Sequence, residues 1–144
     1  MITDIRYVAV MVEKLEEGVK AWQDLFGLEP INQPSVNQWG IRAQMLGHEG
    51  RSVVEVMEPA SPDAALARFM EERKNPRNPR GEGIYMLSIE VDDLEATLRE
   101  MGAKGGRITR EEGNERTAWV HPLSLHQVFV EVTQRGGRTT ATPD

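Results

Sequence analysis

The sequence predicts an α+β fold: two fused β-α-β-β-β modules forming a cup-shaped mixed sheet with helices on its outer face. A repeat predicts it first. Tyr7-Val-Ala-Val-Met-Val-Glu-Lys-Leu15 and Met86-Leu-Ser-Ile-Glu-Val-Asp-Asp-Leu94 each read as an alternating strand running into an amphipathic helix. Their offsets agree at both ends, 86 − 7 = 79 and 94 − 15 = 79. Each half then returns through a second apolar strand carrying one acid, Glu55 among Val53 to Met57 and Glu131 among Val128 to Val132, offset by 131 − 55 = 76. Finally, the strands have one branched apolar face (Val128, Val130, Val132; Leu87, Ile89, Val91) and one mixed face (Gln127, Phe129, Glu131, Thr133; Met86, Ser88, Glu90). The branched face is expected under the helices; the mixed face lines a pocket or faces solvent, and the matched acids favour the pocket.

Taken in order, residues 4–12 alternate as a strand, with Tyr7, Ala9 and Met11 on one face. Leu15, Val19, Trp22 and Phe26 recur at helical spacing, and Gly27 stands where a helix C-terminal glycine belongs. Residues 28–32 read as a short edge strand restricted by Pro30 and Pro34. Residues 39–46 and 51–57 make a hairpin around Gly47-His48-Glu49-Gly50. Ser61 and Pro62 open a short helix to about Arg73, as N-cap and first helical residue. The run 74–81, rich in proline and basic residues, is a linker between modules 1–73 and 82–135 of one domain. In the second module, residues 84–91 form a strand and 93–101 a helix ending at Gly102. A short strand at 107–109 and a hairpin of 116–120 with 127–133 complete it. Residues 136–144 are expected to be a disordered tail.

Composition narrows the function. A net charge of −6 argues against nucleic acid or an acidic membrane as partner, since these need a basic footprint. The chain has no cysteine, which removes thiolate nucleophiles, disulfides and zinc–thiolate sites. No apolar run approaches the ~20 residues of a membrane span, and the first residues lack a signal-peptide pattern. A cytoplasmic protein acting on a small-molecule substrate is the expectation.

With V-x-x-L at each strand-to-helix junction, the duplication resembles the vicinal oxygen chelate superfamily of glyoxalase I and the bleomycin-resistance proteins. Within it, the methylmalonyl-CoA epimerase branch is most similar. The resemblance is carried by Phe26-Gly-Leu-Glu29, Glu55-Val-Met-Glu-Pro59 with Ser61-Pro62-Asp63, Gly81-Glu-Gly-Ile84, Ile89-Glu-Val-Asp-Asp93, Trp119-Val-His-Pro122 and Phe129-Val-Glu-Val132. It implies a homodimer, which exposed apolar residues such as Trp22 or Trp39 would support. It also implies a divalent metal held by a histidine on the first strand, an acid or amide on the fourth, and a second histidine and acid in the other half. The acids fall on Glu55 and Glu131, but the histidine positions hold Tyr7 and Met86. A thioether and a neutral phenol are poor ligands for hard divalent ions. No metal cofactor is therefore expected, beyond a weak, water-rich divalent cation at Glu55 and Glu131. The branch's second base falls on Gln38, which cannot take a proton, and its glycine pair before the last strand is replaced by His126-Gln127. Methylmalonyl-CoA epimerisation itself is not expected.

The expected function is a metal-independent enzyme that moves a proton next to a carbonyl, of isomerase, epimerase or lyase type, on a small organic or acyl substrate. Glu131, flanked by valines, is the candidate base and Glu55 its proton partner. An alternative for Glu55 is pairing with Arg42. Tyr7 and Gln38 are candidate donors to a developing oxyanion; Met86 and Phe129 line the pocket, and His126, beginning the strand of Glu131, reaches its mouth. His48 is read as a loop residue and His121 as a turn residue. The basic linker (Arg73, Lys74, Arg77, Arg80) is either a solvated loop or a clamp for an anion. Two other functions fit the same residues: a non-catalytic small-molecule binding or resistance protein, and a metal-dependent member with a rearranged site.

Overall fold

The computed structural model describes residues 1–136; of the expected tail 136–144, all but Gly136 lies outside them. Contacts divide the described chain into an N-terminal unit, residues 8–85, and a C-terminal unit, residues 86–136 together with 1–7. The first strand, β1 (Ile2–Met11), gives its beginning to one and its end to the other.

In the N-terminal unit, α1 (Leu15–Phe26) follows β1 and closes at Gly27, which takes the left-handed conformation (φ 69°) expected of it. Two short strands follow, β2 (Glu29–Pro30) and β3 (Ser35–Val36), where one edge strand was expected. Pro30 and Pro34 lack the N–H that a continuous ladder needs, so pairing breaks between them. The hairpin is β4 (Ile41–His48) and β5 (Arg51–Pro59), tightened to a two-residue turn in which Glu49 and Gly50 have φ of 51° and 76°. Strand order is β2-β4-β5-β1, with β3 also on β4 and β5 parallel to β1. Val10, Leu15, Val19, Leu46, Val54 and Val56 make the core beneath α1. Trp22 packs against that core and stacks on Phe26, so it is not the exposed patch anticipated; Trp39 is exposed.

The next helix, α2 (Ala65–Glu72), starts later than Ser61. Ser61-Pro62-Asp63 is a turn whose Ser61 carbonyl accepts the Ala64 N–H (3.2 Å), and Ala64 is the N-cap. That register buries Ala64, Leu66 and Met70, and burying this stripe outweighs a serine cap. Residues 74–81 are ordered turns held by Asn75, which accepts from Arg77 and Asn78 N–H, and by Asn78, bonded both ways to the Glu82 backbone. Gly81 (φ 67°) passes so close to α2 that a Cβ would lie 2.0 Å from the Met70 carbonyl oxygen. Three linker cations are occupied: Lys74 by Glu71, Arg80 by Glu13 and Glu17, and Arg73 over the Phe69 ring. This favours the solvated-loop alternative over an anion clamp.

The C-terminal unit repeats the plan with β6 (Gly83–Val91), α3 (Leu94–Ala103), β7 (Ile108–Thr109), β8 (Thr117–Val120) and β9 (Val130–Gln134). Strand order is β1-β6-β9-β8-β7. β9 runs parallel to β6 and antiparallel to β8. Asp93 caps α3, its carboxylate accepting the Ala96 N–H at 3.0 Å. Gly102 lies inside the helix; the left-handed glycine is Gly105 (φ 88°), after the Lys104 cap. Val91, Leu94, Leu98, Ala118, Val120, Val130 and Val132 form the core here. Fully burying each of the larger aliphatic side chains is worth roughly 1.5–3 kcal/mol.

The last strand differs most from expectation. Pro122–Leu125 winds into a 3-10 turn capped by His121, whose Nδ1 accepts the Leu123 N–H. His126 and Gln127 then take left-handed φ of 51° and 76°. Those backbone angles steer residues 126–128 off the ladder, so β9 begins at Val130 rather than Gln127, and Val128 is exposed instead of packed under a helix. Among the described residues, no helix is long and apolar enough to cross a membrane.

Candidate active site

Parallel pairing of β6 with β9 sets Ser88 opposite Glu131, and the antiparallel pairing of β8 with β9 sets Trp119 there from the other side. Because Val130 and Val132 point into the core with α3, strand alternation turns Glu131 to the opposite face. It is nevertheless only 3 % exposed. Its Oε1 accepts two hydrogen bonds, from the Tyr7 hydroxyl at 3.0 Å and the Ser88 hydroxyl at 2.8 Å. Tyr7 is 2 % exposed and Ser88 fully buried. Burial pushes the Glu131 carboxyl above its ordinary range, while the Ser88 and Tyr7 hydroxyls and the charge of Arg6 pull the other way. Arg6 sits with its guanidinium carbon 5.9 Å from the centre of the Tyr7 ring.

The other expected residues take these places. Met86 is a buried apolar residue of β6. Phe129 is half-buried, and its carbonyl accepts the Leu87 N–H at 3.0 Å. His126 is exposed on the left-handed turn and does not begin the strand of Glu131. In the N-terminal unit, Glu55 is fully buried on β5, between Ala9 and Met45 of the adjacent strands. The Arg42 offered as its alternative partner bonds Glu58 (2.8 Å) and pairs with Glu16 (2.6 Å). Gln38 lies on the exposed turn before β4, and His48 is exposed at the hairpin end. The structure thus brings Tyr7, Glu131 and, unexpectedly, Ser88 together.

Ser88 carried a signal in the repeat. The offset of 79 that relates Tyr7 to Met86 relates Ala9 to Ser88, and Ala9 stands opposite Glu55 as Ser88 stands opposite Glu131. A hydroxyl replaces a methyl beside one acid and not beside the other.

The donor set can be tested against the divalent metal that such a scaffold implies. In the C-terminal unit the relevant positions hold Tyr7, Met86 and Glu131. The phenol proton is given to Glu131, the thioether is soft and neutral, and one carboxylate oxygen is taken up by two hydroxyls. These residues do not fit a hard cation. Among the described residues, no group of three or more His, Asp or Glu side chains is placed to hold a metal. An open surface cleft of about 740 Å³ is lined by Glu95, Arg110, Glu111, Glu112 and Glu115, and includes none of the candidate residues.

Comparison with known proteins agrees with the fold. Residues 6–120 match the family model of the Glyoxalase/Bleomycin resistance protein/Dioxygenase superfamily. No curated protein matches the chain. Among solved structures, the chain is similar to methylmalonyl-CoA epimerase from Mycobacterium tuberculosis, at 25% identity over 92% of this chain and 88% of that one, with a TM-score of 0.75. A variant of methylmalonyl-CoA epimerase from Streptomyces coelicolor, in complex with 2-nitronate-propionyl-CoA, shares 22% identity over 95% and 100% of the two chains (TM-score 0.76). A hypothetical protein from Bacillus halodurans C-125 shares 18% over 94% and 96%, also at 0.76.

Proposed function

The chain belongs to the glyoxalase/bleomycin resistance protein/dioxygenase superfamily, and from that premise we propose that it is a metal-independent enzyme moving a proton next to a carbonyl. The family and its epimerase-like neighbours support a protein that handles a small molecule, as enzyme or as binder. One observation favours the enzyme: a buried carboxyl, raised by desolvation, held by two hydroxyls. A general base works best when its proton affinity lies nearer the working pH than that of an exposed carboxylate. Glu131 takes the proton from the carbon beside the carbonyl, the C–H electron pair moves into the enolate, and the proton returns to carbon. Small acyl or keto compounds are the substrate class, and the neighbours' acyl-CoA ligand supplies the first probe.

The test is deuterium uptake at the α-carbon of propionyl-CoA in heavy water, read by mass spectrometry. Glu131→Gln is expected to slow exchange by roughly 10²–10⁴-fold, the usual contribution of a positioned base. Glu55→Gln is the matching variant for the second acid: lost exchange gives it a share of the proton transfer. Binding of the thioester without any exchange would instead favour a sequestering protein. We propose a cytoplasmic protein that forms a homodimer; exposed Leu25, Phe26 and Trp39 support the dimer, and light scattering reads whether the 16.2 kDa chain doubles its mass.

A further inference from the structure

The Glu131 carboxylate has two chemically equivalent oxygens, yet its surroundings treat them differently. Among the described residues, its hydrogen-bond donors are the hydroxyls of Tyr7 and Ser88, and both fall on Oε1. A carboxylate oxygen offers two lone-pair sites. With both filled at 3.0 Å and 2.8 Å, Oε1 has no site left for a proton. The two donors come from different strands, β1 and β6, so together they fix the rotation of the carboxyl group as well as its position.

We propose that Ser88 is a positioning residue that, with Tyr7, assigns the transferable proton to Oε2 of Glu131. This deepens the reading of Glu131 as the base and rests on it for its catalytic meaning, though not for its structural content. Ser88 touches no reacting atom in this scheme. It acts through Glu131: the loaded oxygen stays a hydrogen-bonded carbonyl, and Oε2 alone accepts and returns the substrate proton. The pairing of Ser88 with Glu131 across parallel strands makes the distance a property of the sheet, not of a mobile loop. Other charged groups on these strands are Asp4, Arg6, whose charge favours ionised Glu131, and Glu90, held by Thr3 at 2.7 Å and paired with Arg135.

Infrared difference spectra of the full chain test the assignment without any substrate. Subtracting the Glu131→Gln spectrum from the parent at mildly acidic pH isolates the carbonyl stretch of protonated Glu131. With two donors on its carbonyl oxygen, that band is expected low in the carboxylic range. Ser88→Ala should move it to higher wavenumber, and Tyr7→Phe, which removes the other donor, should move it the same way. Ser88→Thr keeps the hydroxyl and should return the band. In deuterium exchange on propionyl-CoA, Ser88→Ala should lower kcat roughly ten- to hundredfold, with KM unchanged, and Ser88→Thr should restore it. A band unmoved in Ser88→Ala, or, should that variant not fold, unmoved in Tyr7→Phe, overturns the proposal. So does a band displaced as far in Ser88→Thr as in Ser88→Ala. If the bands behave as expected and the parent exchanges no deuterium, Glu131 loses its catalytic role and Ser88 keeps its place.

Discussion

Proton binding at Glu131 is linked to folding, because burial penalises its charged form in the native state and not in the unfolded chain. The shift is upward, so native Glu131 keeps its proton at pH values where the unfolded carboxyl has lost it. Its contribution to stability is complete below the unfolded value and is lost as pH rises through the folded one. A glutamine in its place is neutral throughout. Glu131→Gln is therefore expected to gain on the parent as pH rises, with a melting-temperature difference more favourable at about pH 8 than at about pH 4. Thermal melts across that series check it, and a difference flat in pH would count against the buried-acid picture. At this scale the sequence shows Glu131 plainly, since an acid between valines has few places to go. It does not show which oxygen is bonded, and it shows Ser88 only through the contrast with Ala9.

Between residues and fold, the elements that read correctly are those whose burial pattern and end signals agree. α1 has its stripe and its glycine; α3 has its stripe and Asp93, which bonds the Ala96 N–H. α2 is the counterexample. Ser61-Pro62 is as good a helix start in local chemistry, yet the chain spends it on a turn so that Ala64, Leu66 and Met70 reach the core. The two aspartate and serine signals are separable by experiment. Asp93→Ala should cost about 1 kcal/mol, the usual loss for a cap. Ser61→Ala should stay within about 0.5 kcal/mol, as surface changes do. Urea titration of both variants decides, and equal losses would return Ser61 to the role of cap. The other misread element, β9, fails for a related reason. Gln127, Phe129, Glu131 and Thr133 alternate as a strand should, but alternation says nothing about φ, and His126 and Gln127 both sit at positive values.

Across the whole chain, the duplicated β-α-β-β-β plan was legible because its period is written twice and the parallel returns pair each acid with the same position of the first strand. The same duplication makes the two expected imidazole positions visible, since Tyr7 and Met86 are mates at the offset of 79. What those substitutions do to cation binding follows from linkage. An ion that binds only the native state stabilises it by about 2.7 kcal/mol at a hundredfold excess over its dissociation constant, or roughly 5–10 °C for a chain of this size. The phenol of Tyr7 points its proton at Glu131, and Met86 offers only a soft donor, so no comparable gain is expected here. After treatment with a chelator, cobalt, manganese, nickel and zinc added one at a time at millimolar level should each leave the melting temperature where the chelator left it. Two carboxylates binding a hydrated cation weakly would add only a small, salt-sensitive increment. A shift of several degrees that persists in added salt, from any one of these ions, would reveal a rearranged ligand set and overturn the metal-free proposal.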